Sequence, residues 1–381
     1  MKHLITTTAM AALVLSSAAH ADLKPFANIK NSHQQMARID TDEANKVFIG
    51  GGKNNARDQV GEEFAEITGG TNIDFNHKNP NRIRDELTPM LQAILTSDKN
   101  EAPGLEGVTL VSLSEDSFTI SIPGWFGTQN FIEFTGSKAE EAVANVLFEL
   151  GNGSPAVNFK NSASQVTVFN TNETGSIFSG SAGALDDDTR AIVGGSTFNI
   201  PEAEDVLDAA LFGSGIGGVE ILGLTDEGVT MRFNGQAGTV DTIIMNGAGT
   251  MDMLGRVDNT WVDTKDKDSE FAIFDVTKGN RPSLFIGGGG SDTAEFQSIV
   301  EGSFIQADEV LHIFRAIITG NGRKDEHGLD GVELIGLNST SFAIAITNTR
   351  SAVDYVLFTN VDQLEDEGAA DLGFFSAGDE D

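Results

Sequence analysis

Cysteine is absent from the 381 residues, tryptophan occurs twice and tyrosine once, and Lys plus Arg number 24 against 57 Asp plus Glu. Without cysteine there are no disulfides. An exported chain of this kind holds together by core burial, sheet pairing, oligomerisation or bound ions. The shortage of Trp and Tyr beside 25 Phe points to dry cores. It argues against a glycan-stacking surface and against the aromatic girdles of an outer-membrane barrel. A formal net charge of −33 repels nucleic acid and anionic lipid, so neither is an expected partner. Divalent cations, basic partners or a salty medium remain compatible. Beyond the N-terminus no apolar run approaches the roughly 18 residues that span a bilayer, so no transmembrane span is expected.

The N-terminus reads as a secretory signal. Lys2 and His3 form a short polar region, an apolar stretch follows from Ala9 to Leu15, and Ala19-His20-Ala21 fits the small-x-small cleavage pattern. Cleavage after Ala21 would release a chain starting at Asp22. The expected location is therefore secreted or cell-surface, with the periplasm as a further option.

What the sequence does have is repetition. Gly104-Leu105-Glu106-Gly107-Val108-Thr109-Leu110-Val111-Ser112-Leu113 returns as Gly215-Ile216-Gly217-Gly218-Val219-Glu220-Ile221-Leu222-Gly223-Leu224. It returns again as Gly328-Leu329-Asp330-Gly331-Val332-Glu333-Leu334-Ile335-Gly336-Leu337, at spacings of 111 and 113 residues. A four-residue polar turn follows each copy, at 114–117, 225–228 and 338–341. An alternating strand comes next, at 118–122, 229–233 and 342–346. Period-two alternation across a short turn is the signature of an antiparallel hairpin with one apolar face.

The similarity extends on both sides. Helical stripes precede the hairpins: Leu87, Met90, Leu91, Ile94 and Leu95; Val206, Leu207, Ala210 and Leu211; Val310, Leu311, Phe314 and Ile317. Pro89 belongs only in a first turn, so Thr88 is expected to cap that helix or the segment to break. Before each helix the pattern gives two Gly-terminated strands, at 48–52 and 66–70, 177–180 and 191–195, 285–289 and 298–302. One more strand closes each copy, at 131–135, 242–246 and 355–359.

The expected fold is therefore α+β and β-rich: three tandem pseudo-repeats, each approximately β-β-α-β-β with antiparallel hairpins and one packing helix. The division is 1–21 signal peptide, 22–45 N-terminal arm, 46–136 module 1, 137–172 helical and strand linker, 173–247 module 2, 248–278 linker, 279–360 module 3 and 361–381 acidic tail. That tail holds eight acids and no base. Strand-like runs at 165–170 and 271–274 in the linkers are candidates to complete the following sheet. Linear stacking and closure about a pseudo-threefold axis are both open.

Candidate chemistry is thin. His33, His77, His312 and His327 make no metalloprotease spacing, and His312 reads as a helix-surface or packing residue. Gly213-Ser214-Gly215-Ile216-Gly217-Gly218 spells a dinucleotide fingerprint but follows a helix and opens a strand, the reverse of what pyrophosphate binding needs. Gly287 to Glu295 resembles a single calcium-binding nonapeptide, whereas a calcium roll needs tandem copies. Asp186, Asp187, Asp188 and Asp292 are the candidate calcium contacts, with solvated turns and a Gly-rich strand end as the simpler reading. Glu115-Asp116 and Asp226-Glu227 sit in hairpin turns, where turn chemistry accounts for them.

No catalytic or cofactor-binding constellation emerges. The function expected first is a secreted, non-enzymatic structural or surface-assembly protein, of the surface-layer or matrix kind. It would associate through its β-rich modules with itself or with cell-surface components, calcium being the one ion considered. Second is an extracellular or periplasmic binding protein for a small ligand, glycan or divalent cation. A secreted hydrolase comes third.

Overall fold

The computed structural model describes residues 26–28, 35–42, 46–50, 72–74, 81–96, 108–123, 129–151, 165–173, 175–178, 197–212, 216–234, 240–258, 261–263, 268–277, 283–286, 304–319, 331–338, 340–347 and 352–364. The segment expected to be a signal peptide, the residues beyond 364 and the expected strands at 66–70, 191–195 and 298–302 lie outside these.

The three hairpins form where the alternation places them. They are β5 (Thr109–Leu113) with β6 (Phe118–Pro123), β11 (Val219–Thr225) with β12 (Gly228–Asn234), and β18 (Val332–Leu337) with β19 (Phe342–Thr347). The closing strands β7 (Gln129–Thr135), β13 (Val240–Asn246) and β20 (Val353–Thr359) add antiparallel to β6, β12 and β19. A fourth strand then pairs parallel with each closing strand: β2 (Gln35–Asp40), β8 (Gln165–Asn170) and β15 (Phe271–Asp275). The result is three like mixed sheets, ordered β2-β7-β6-β5, β8-β13-β12-β11 and β15-β20-β19-β18. β8 and β15 are the strand-like runs of the two linkers. β2 comes from the segment read as an arm, because Gln35-Met36-Ala37-Arg38-Ile39 lacks alternation and its strand identity comes from pairing with β7.

Short strand pairs precede the helices: β3 (Lys46–Gly50) with β4 (Asn72–Asp74), β9 (Ser176–Phe178) with β10 (Thr197–Asn199), and β16 (Ser283–Ile286) with β17 (Phe304–Gln306). β1 (Phe26–Asn28) and β14 (Trp261–Val262) add parallel to β3 and β16. The packing helices are α1 (Asn81–Thr96), α3 (Ile200–Leu211) and α5 (Val310–Thr319). Two others, α2 (Ser137–Gly151) and α4 (Ala248–Val257), follow β7 and β13. Contrary to expectation, α1 runs straight through Pro89. Proline removes one helical hydrogen bond. Complete or nearly complete burial of Leu87, Met90, Leu91, Ile94 and Leu95 offsets that loss, each side chain contributing about 1.5–3 kcal/mol.

The modules close into a ring rather than a row. Strands β5, β11 and β18, the inner edges of the three sheets, lie against one another pairwise. Each carries a bulge at the same register, before Ser112, Gly223 and Gly336. At these bulges the contacts are cyclic. Ser112 Oγ of module 1 donates to Leu337 O of module 3 at 2.8 Å. Thr230 Oγ1 of module 2 donates to Leu113 O of module 1 at 3.5 Å. Gly336 of module 3 lies against Leu224 O of module 2. One contact per junction, handed round in one direction, is a pseudo-threefold arrangement.

The sheets are consequently buried on both faces. Val166, Leu222 and Ile244 of the second sheet enter the core built around α1 and α2. Phe271, Ile335, Ala343, Ala345 and Leu357 of the third enter the core around α3 and α4. Val111 and Phe131 of the first enter the core around α5. Every core is thus roofed by the neighbouring module's sheet. Among the described residues no helix is long and apolar enough to cross a membrane.

Candidate functional site

All three hairpin turns point to one end of the molecule, which they share with the C-terminal ends of the parallel strand pairs and the N-termini of α2 and α4. A recurring device builds this end. After β2, β8 and β15 the chain turns on an Asp or Asn side chain: Asp40 Oδ1 accepts the Asp42 N–H at 2.8 Å, Asn170 Oδ1 that of Asn172 at 3.0 Å, and Asp275 Oδ1 that of Thr277 at 3.0 Å. In the first two copies the next threonine donates to the closing strand, Thr41 to Thr135 O at 2.7 Å and Thr171 to Asn246 O at 2.8 Å. The same hydroxyls accept helix N-terminal amides, from Ala139 at 3.3 Å and Thr250 at 3.0 Å. Satisfying these amides is what starts α2 and α4. Asp40-Thr41-Asp42, Asn170-Thr171-Asn172 and Asp275-Val276-Thr277 form a repeat signal that the hairpin-centred reading missed.

Between modules 1 and 2 this end opens into a cleft of about 430 Å³. Its rim is the first turn, Ser114 to Asp116, facing the second, Thr225 to Gly228. Ile244, Met245 and Met251 line it, together with Asn246 and the start of α4. Four carboxylates surround the opening. Glu115 accepts Asn246 Nδ2 at 3.0 Å, a contact from module 2 to module 1. Asp116 accepts Ser114 Oγ at 2.7 Å. Asp226 reaches the turn of module 3, where it accepts Asn338 Nδ2 at 2.7 Å, Thr340 Oγ1 at 2.6 Å and Ser341 Oγ at 2.9 Å. Its own N–H donates to Ser341 Oγ at 3.0 Å. Glu227 has its pKa raised above the ordinary glutamate value, first by burial and then by Asp116 and Asp226, with a hydrogen bond from Asn338 opposing.

The turn residues therefore do structural work between modules, tying 1 to 2 and 2 to 3. Among the described residues the cleft lining has one hydroxyl on a carboxylate, Ser114 on Asp116, and no histidine. Among the described residues no three His, Asp or Glu side chains gather as a metal site.

No family model, curated protein or solved structure matches this chain.

The residues singled out in the sequence fall mostly on segments that are not described. Asp186, Asp187, Asp188 and Asp292 lie outside the described residues, as do His33, His77 and His327. His312 is exposed on α5, as its helical position suggested. Asp263 donates its N–H to the Glu270 carboxylate, which closes one end of the acidic 263–270 segment on the other. Gly217 and Gly218 form the turn between α3 and β11, with φ of 82° at Gly218.

Proposed function

We propose that this is an exported, non-enzymatic building block of an extracellular or cell-surface assembly. The observation that supports this reading is the cyclic closure. Apolar sheet faces and inner edge strands are used within one chain, leaving β2, β8 and β15 as the outer edges of three like sheets. A body with repeated flanks meets neighbours in several equivalent directions, the geometric requirement for a sheet-like or branched assembly. The charge of −33 would keep copies apart until cations screen it, so divalent ions are expected to promote association. Electron microscopy and sedimentation of the mature protein, with calcium and with a chelator, test this. Ordered polymers in calcium are the expected result. A strict monomer in both conditions overturns the reading.

The cleft favours a second reading, the capture of a small organic cation. It combines an apolar lining with carboxylates on its rim and has the volume of a small-molecule site. Calorimetric titration with a panel of amines would detect one saturable site, and Glu115→Gln would weaken it.

A further inference from the structure

Asp241 opens the interior of β13 and is completely buried. Its backbone lies between Phe233 of β12 and Gln165 of β8. Oδ1 accepts the Gln165 N–H at 3.2 Å, and Oδ2 has no hydrogen-bond partner. A buried carboxylate with a bare oxygen is costly when ionised and far less so when it carries a proton.

Among the described residues no cation pairs with Asp241. Burial raises the pKa of Asp241 and the hydrogen bond from the Gln165 amide lowers it. On the neighbouring strands Arg232 of β12 faces Glu220 of β11, and β8 carries no charged residue. On the packed helices Arg256 of α4 is bound to Glu204 of α3 at 2.8 Å, Glu202 serves the Asn199 cap, and Asp205, Asp208 and Asp252 are exposed. The net effect is a pKa pushed up to about 7.

We propose that Asp241 is a proton-controlled pin for the β8–β13 pair: protonated, it lets the first rungs of that pair close, and ionised, it loosens them at the seam between modules 1 and 2. The seam is involved because β8, whose first amide Asp241 holds, also packs on α2, and Val166 of β8 belongs to the core of module 1. Module 1 has Asn130 at the same register as Asp241, and module 3 has Asp354, whose Oδ1 accepts the Glu270 N–H at 3.0 Å.

The folded pKa lies above the ordinary aspartate value of 3.8. The stabilisation is therefore complete below that value and is lost as pH rises through about 7.

Hydrogen exchange on the intact chain tests the pin, in roughly 0.5 M salt so that surface charges are screened. After correction for intrinsic rates, amides 165–170 are expected to exchange about tenfold faster at about pH 8.5 than at about pH 5.5. Asp241→Asn should abolish that difference and Asp354→Asn should leave it in place. A wild-type pH response that persists in D241N overturns the proposal. Should D241N not fold, the infrared band of a protonated carboxyl decides on the Glu227→Gln chain, which lacks the other described carboxyl of raised pKa. It should be present at about pH 5.5 and lost as pH passes about 7. Its absence at the lower pH overturns the proposal too.

Discussion

Ser112, Gly223 and Gly336 occupy one register position in three modules and meet three different neighbours. A Cβ on Gly336 would fall 1.6 Å from Leu224 O, a backbone atom that cannot move aside, whereas one on Gly223 would sit 3.0 Å from Val111 O. Ser112 carries a side chain there and uses it to reach Leu337 O. Substitution effects should differ accordingly. Gly336→Ala is expected to cost about 4 kcal/mol or more by overpacking, enough to deplete the folded chain. Ser112→Ala is expected to cost about 1–2 kcal/mol, because Leu337 O loses a donor, though Thr119 Oγ1 at 3.3 Å softens the loss. Equilibrium urea unfolding of the two variants checks the order.

At the scale of elements, local chemistry and burial compete, and each wins somewhere. Module 2 starts its helix with a capping box: Glu202 N–H donates to Asn199 Oδ1 at 3.2 Å, and Asn199 N–H donates to the Glu202 carboxylate at 2.9 Å. Asn199→Ala should lower stability by about 1 kcal/mol. In α1, burial prevails over Pro89, so Pro89→Ala should raise stability by about 1–3 kcal/mol, visible as a higher melting temperature. The same competition explains what was readable in the chain. Hairpins and helical stripes show in the sequence because their apolar periodicity repeats three times. Strand β2 does not, because parallel pairing with β7 supplies its hydrogen bonds whatever its pattern. The cleft was only half legible. Glu115-Asp116 and Asp226-Glu227 are visible as turns, but no local signal says that turns 111 residues apart face each other, or that Asn246 and Asn338 come to meet them.

Across the whole molecule, the cores interlock. Removing the neighbour of module 1 would expose its core where Val166, Leu222 and Ile244 now roof it. Each such side chain contributes about 1.5–3 kcal/mol, a large share of the margin available to a unit of this size. The chain should therefore unfold in one calorimetric transition, with van't Hoff and calorimetric enthalpies about equal. A fragment spanning 165–257 should give no cooperative melt. Three separate transitions would contradict the interlocked cores.

Residue order by itself determined that this is a β-rich α+β protein made three times over, because strand alternation, helical stripes and polar turns are local properties that survive in any arrangement. Only the tertiary structure decided that the copies close on themselves, that each sheet serves two cores, and that Asp241 is sealed from water. Those outcomes depend on which surfaces meet over more than a hundred residues of chain, and apolar burial has no direction that a linear pattern can record.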